Sequence, residues 1–166
     1  MHPAPAYYVM TMSDRIPDPP PGWHLPDPQF QPEFYADVPL KRLIAFLVDT
    51  LLILALTALV AVLSLGLGLI MIVPLSWLLN FAYRWVTITR DSATPGMRLV
   101  ALELRDHRGR PLDQVLAFQH TMGFMISITL FPLQVISIAL MLTDARKQGL
   151  TDKLLGTVAL NRRAGH

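Results

Sequence analysis

The sequence has no cysteine. That excludes disulfide staples, thiolate nucleophiles and Cys-ligated zinc or iron–sulfur sites. It is also short of charge: 16% of its 166 residues are Asp, Glu, Lys or Arg, where a soluble domain carries about 25%. The shortage is local. From Leu43 to Tyr83 the only formal charge is Asp49, and one membrane crossing needs only roughly 20 apolar residues. The run is long enough for two crossings and a tight turn, too long for a buried helix of a soluble protein. The five histidines are scattered without metal-ligand spacing. No nucleophile motif, Walker loop or dinucleotide fingerprint is present. The chain is therefore expected to be no enzyme and to hold no cofactor and no metal. A net charge of +2 with a pI near 9.2 reflects basic residues flanking membrane spans rather than nucleic-acid binding, since no aromatic-basic motif accompanies it.

What is present is organised in blocks. Residues 1–38 hold nine of the fourteen prolines, including Pro19-Pro20-Pro21. Proline blocks helix interiors and sheet ladders, so this reads as an extended or disordered tail. A membrane domain follows over residues 39–161, with residues 162–166 as a short tail. Asp37 is a candidate N-cap and Pro39 suits a first helical turn. The first span is expected at about 40–63. Ser64-Leu65-Gly66-Leu67-Gly68 is the natural turn, because glycine tolerates tight connections. The second span is expected at about 67–85, kinked at Pro74. Residues 86–115 form a polar, basic loop. Within it, Met97 to Arg105 alternates like a short strand, with Val100, Leu102 and Leu104 on one face, and Asp106 to Gly109 reads as a turn. Residues 116–142 are the third hydrophobic segment, interrupted by Phe131-Pro132-Leu133-Gln134. In the closing segment, 143–161, Thr157 to Leu160 is a candidate partner for the earlier strand.

Lys and Arg collect on the cytoplasmic side of membranes. Three lie before the first span, six between Arg84 and Arg110, and five after the third segment. The Ser64–Gly68 connection carries no charge. The first two spans therefore form a hairpin with both outer ends in the cytoplasm, the N-terminus included, in the cell (inner) membrane. One crossing by the third segment would carry its five basic residues outside. A segment bent at Pro132 that enters and leaves on one side keeps them in, with arms of about 12 residues. The charge rule favours the bent form, and a single tilted crossing remains the alternative. The fold class is thus an all-α membrane protein: a transmembrane helical hairpin plus a third hydrophobic segment, either single span or short helical hairpin, with a small polar cytoplasmic loop containing two short strands.

Asp49 is the residue that most needs a partner, because an ionised carboxylate at mid-helix costs about 2.5–3.5 kcal/mol on insertion scales. Counting helical rise from the ends of the apolar runs places Asp49 about 9 Å deep, Asn80 about 6 Å, and Gln119 and His120 about 5–6 Å. This predicts one buried polar cluster of Asp49, Asn80 and His120, with Gln119 beside it. Its members act either as hydrogen-bonded helix packing or as an ion or proton site. Arg42 shares a helix face with Asp49 but lies about 10.5 Å away along the axis. It is expected to reach lipid phosphates or an acidic residue near the C-terminus, Asp144 or Asp152.

Three segments together resemble a known family, the RDD membrane proteins of bacteria. Lys41 to Asp49 is similar to the family's opening helix, with arginine at its start and aspartate in its middle. Thr94-Pro95-Gly96-Met97-Arg98-Leu99, followed by Asp106, Gly109 and Pro111-Leu112, resembles its loop. Asp144 to Val158 resembles its closing segment, with Asp152 at the aspartate. The chain departs from the pattern at Thr151, where histidine is usual, and at Met97, where lysine is common. The resemblance implies transport of ions or small solutes, including cation/proton exchange; three hydrophobic segments give little room for a pathway, so copies are expected to assemble as a homo-oligomer in the lipid bilayer. In that reading Asp49 is the titrating or cation-binding carboxylate, and Arg42 and Asp152 form a cytoplasmic gate. The alternative is a non-transporting accessory or scaffold that binds a membrane protein partner.

Overall fold

The computed structural model describes residues 24–65 and 70–162. Most of the Pro-rich tail, and Gly66 to Gly68 of the expected turn, lie outside the described residues. The architecture is helical with one small sheet. Helix α1 runs Val38–Leu63, α2 Ile72–Asp91, α3 Pro95–Leu99, α4 Gln114–Thr129, α5 Phe131–Thr143 and α6 Leu150–Leu155. Strands β1 (Leu102–Arg105) and β2 (Val158–Asn161) pair antiparallel, Leu102 opposite Asn161 and Arg105 opposite Val158.

Helix α1 is built inside out. Its buried face is Val38, Ala45, Asp49, Ile53, Thr57 and Ala61, a stripe of mostly small or polar residues at helical spacing. Its leucines at 43, 47, 51, 54, 59 and 63 are exposed. Helices packed in lipid place small residues at the contact and large aliphatic ones toward the chains. The Thr50 and Thr57 hydroxyls donate to the carbonyls of Phe46 and Ile53 at 2.7 and 2.8 Å, which leaves no hydroxyl unpaired along that stretch. The run Pro32–Leu63 contains an 18-residue stretch of mean hydropathy 2.6 and is long and apolar enough to cross a membrane.

Three local expectations are corrected. Asp37 does sit at the N-cap of α1, but with φ 57° and no side-chain cap bond; its carbonyl instead accepts from Lys41 N–H. Pro74 falls in the first turn of α2, where the missing N–H has no helical partner to lose, so it kinks nothing. Met97 to Leu99 is helical, not extended: the strand begins only at Leu102, because Thr94 caps a five-residue helix, accepting from Met97 N–H at 3.2 Å.

The third hydrophobic segment is two helices, α4 and α5, bent by 114° at Leu130. Leu130 (φ −98°, ψ 88°) leaves helical geometry, and Pro132 then sits in the opening turn of α5. The Ser127 hydroxyl donates to Gln134 Oε1 at 2.8 Å across the break. The turn brings the closing segment back: β2 lies on β1, and Lys41 Nζ at the start of α1 donates to Asn161 Oδ1 at 2.7 Å. The main core sits where these parts meet, with Val38, Ala45, Ile88, Leu102, Leu104 and Ala159 among its members.

Candidate functional site

The single cluster of Asp49, Asn80 and His120 does not form. Two carboxylate centres take its place, both on α1's side of the molecule. The first is Asp49, 1% exposed. Its Oδ1 accepts from the Tyr83 hydroxyl and from Gly96 N–H, each at 2.8 Å, and its Oδ2 accepts from the Thr94 hydroxyl at 2.6 Å. Arg84 Nη1 stands 3.7 Å from Oδ2. Asn80 belongs one step further out, accepting from Arg84 Nε at 3.0 Å, while the Arg84 guanidinium lies 4.1 Å over the Phe124 ring. The chain needs glycine at 96, because a Cβ there runs into the Ala45 carbonyl oxygen and the Asp49 carboxylate. The sequence Thr94-Pro95-Gly96 is thus a docking element: it sets the start of α3 directly on Asp49, with a hydroxyl and an N–H both aimed at the carboxylate.

The second centre is Asp152, also 1% exposed. Arg42 Nη1 is 2.6 Å from its Oδ2, and Gly149 N–H donates to the same oxygen at 3.0 Å. His120 Nε2 is 3.1 Å from Oδ1, which also accepts from the Thr157 hydroxyl at 2.9 Å. Burial disfavours the charged form of Asp152, yet the Arg42 guanidinium and the His120 ring outweigh it and hold this carboxyl well below the ordinary carboxylate range. Of the two acidic residues proposed for Arg42, the structure selects Asp152; Asp144 pairs with Lys153 at 2.6 Å. Gln119, expected beside His120, is exposed.

His120 goes to Asp152 rather than Asp49 because the bend in α4–α5 folds α6 back against α4. Rise counted along isolated spans carries no information on that return. The sequence reading assigns no site role to Tyr83, Arg84 or Thr94, although Thr94 stands in the segment that resembles the family's loop. A signal existed for two of them: Asp49 and Tyr83-Arg84 lie at similar distances from the α1–α2 connection, so an antiparallel pair brings them level. Arg84 ends the uncharged run and was counted only as a flanking cation.

Between α1, α4 and α5 lies a cavity of about 680 Å³ whose polar wall includes Arg42, Asp49, Arg84, His120, Thr121 and Asp152. Among the described residues no group of three or more His, Asp or Glu gathers to hold a metal. All four oxygens of the two carboxylates already have partners. The arrangement can therefore bind acceptors through the guanidinium side of the wall more readily than cations through the carboxylates. A family model described as RDD family matches residues 37–156. No curated protein and no solved structure matches the chain.

Proposed function

The chain belongs to the RDD family, and from that premise we propose that it is a multi-pass protein of the cell membrane that moves ions or small solutes as an assembly of copies. Helix α1 crosses, α2 returns, and the bent α4–α5 pair enters and leaves on the cytoplasmic side. Two observations support this topology. Strand β1 follows the hairpin, β2 follows the bent pair, and the two are paired, which favours both ends on one face. The two polar stretches that hold these elements, residues 92–113 and 144–162, also carry eight of the ten Lys and Arg residues that lie outside α1, α2, α4 and α5, and cations favour the cytoplasm. The N-terminus lies on that same face.

One observation carries the transport reading: a cavity of about 680 Å³ beside two buried ionic centres. Ionisable groups held at membrane depth against a cavity mark pathways and binding sites. Asp49 serves here as the anchor for α3, and the solute contacts fall to the Arg42–His120 side. Assembly is invoked because a single copy has too few helices to enclose a continuous path. Purified protein in liposomes is expected to pass Na⁺, H⁺ or a small anion above the rate of empty liposomes, with Arg42→Gln reducing that flux. Flux equal to that of empty liposomes for every solute tried removes the proposal. A clean monomer in a native-lipid extract removes the assembly.

A further inference from the structure

The residues that line the cavity differ in how far they reach the outer surface. Those that are exposed are Leu40, Leu43, Phe131, Ile138 and Leu142, at 58, 54, 74, 45 and 61%. Every one is apolar. The mouth thus opens through a surface that faces hydrocarbon, and a molecule entering there comes from the lipid, not from water.

The inner wall carries unspent hydrogen-bonding capacity, most of it on Arg42. Among the described residues, five buried side-chain polar atoms have no partner: Arg42 Nε, Arg42 Nη2, His120 Nδ1, Thr121 Oγ1 and Thr89 Oγ1. Four of the five belong to residues that line this cavity. A guanidinium with two idle N–H edges in a low-dielectric wall is costly until an acceptor arrives. The carboxylate oxygens beside it are all engaged, so the wall has little to offer a cation. His120 Nε2 donates to the Asp152 carboxylate, which leaves Nδ1 as the ring's unpartnered nitrogen.

We propose that the cavity binds a single-chain anionic amphiphile drawn sideways from the bilayer, its carboxylate or phosphate head on Arg42 and Thr121 and its acyl chain along Phe46, Phe124 and Ile138. The volume lies within the about 300–1,000 Å³ of small-molecule sites. A free inorganic anion matches the head site but has no polar way in. The proposal deepens the transport reading by naming the substrate class of the same cavity, and it rests on the membrane topology given there for placing the cavity in the bilayer.

The test uses the full chain in phosphatidylcholine nanodiscs, with tritiated palmitate as probe and empty nanodiscs as background. Saturable binding of one palmitate per chain is expected, displaced by cold palmitate or lysophosphatidate and not by acetate or inorganic phosphate. Arg42→Gln should weaken it by at least about tenfold, the scale of a lost charged hydrogen bond. Since Arg42 also holds Asp152, a second variant keeps the fold: Ile138→Trp on the exposed rim blocks the mouth and should abolish saturable uptake. No saturable binding by the wild type, displacement by acetate or phosphate, or unchanged binding in Ile138→Trp overturns the proposal. Palmitate binding in a protein that passes no ion or solute supports it while removing the transport reading.

Discussion

Replacing Asp49 by Asn separates an anchoring carboxylate from a titrating one. The carboxylate accepts three hydrogen bonds and faces a buried arginine. Asn keeps one acceptor oxygen and turns an NH₂ toward groups that are themselves donors, and it leaves Arg84 without its counter-charge. Removing one partner of a buried pair costs about 3–5 kcal/mol. Here the lower end applies: the Arg84 contact is long at 3.7 Å, and Arg84 keeps Asn80 and the Phe124 face. A loss of about 3 kcal/mol corresponds to a fall in Tm of about 6–12 °C for a chain of this size. Thermal melting in detergent, followed by the fraction still monodisperse after heating, measures it. The double variant Asp49→Asn, Arg84→Gln should recover about 2–4 °C, since removing both partners of a buried interaction is cheaper than orphaning one. An Asp49→Asn protein that melts within about 2 °C of wild type refutes the anchoring argument. If that same protein has lost its flux, the titrating reading of Asp49 takes over.

Three further outcomes follow from the geometry. Gly96→Ala forces a Cβ against the Ala45 backbone carbonyl, which cannot swing away, so it should destabilise by about 1–3 kcal/mol in the same melt; at Gly123 the obstacle is the Thr151 side chain, and Gly123→Ala should cost less. Asp152 has a folded-state pKa below its ordinary 3.8, so its stabilising contribution is complete above that value and fades as pH falls through the folded-state pKa; the stability gap between wild type and Asp152→Asn should stay constant from neutral pH to about 5 and narrow below 3.8, and a gap independent of pH down to the acid limit argues against an ionised Asp152. A reporter fused after His166 should read out in the cytoplasm, and an external signal means that α4–α5 crosses once.

The membrane character, the two polar-ended hydrophobic blocks and the break at Phe131-Pro132 were legible because each is a one-dimensional signal: length without charge, or a proline with a polar neighbour. The alternation of Leu102 and Leu104 likewise marked β1, and Asp106 to Gly109 its turn, closed by the bond from Gly109 N–H to the Asp106 carbonyl at 2.9 Å. Arg42's partner was legible as a choice of two acids. The site failed at the next level. Depth along a span says which residues share a layer, not which share a side, and His120 and Asn80 share Asp49's layer while serving different neighbours. Thr94 was unreadable for another reason: its role depends on a five-residue helix that no periodicity can announce.

Helix α1 holds both centres, Arg42 and Asp49 projecting from adjacent parts of one face, and this has a mechanical consequence. Arg42 grips α6, which belongs to the segment after the bend; Asp49 grips α3, which belongs to the loop after the hairpin. Each latch therefore joins α1 to a piece of chain that arrives by a different route. The cavity wall is made of α1, of the bent pair that α6 braces, and of Arg84, which α3's anchor holds in place. To widen the cavity on the side of α3 and α6, α1 must part from one of them, and either motion exposes a carboxylate that is now satisfied four ways. The lateral mouth between Leu43 and Ile138 has no such latch, only apolar side chains that lipid solvates equally well. In the proposed topology, opening toward the bilayer is thus the cheaper motion, and exchange on the other side would need a group that competes for Arg42, as the proposed anionic head does.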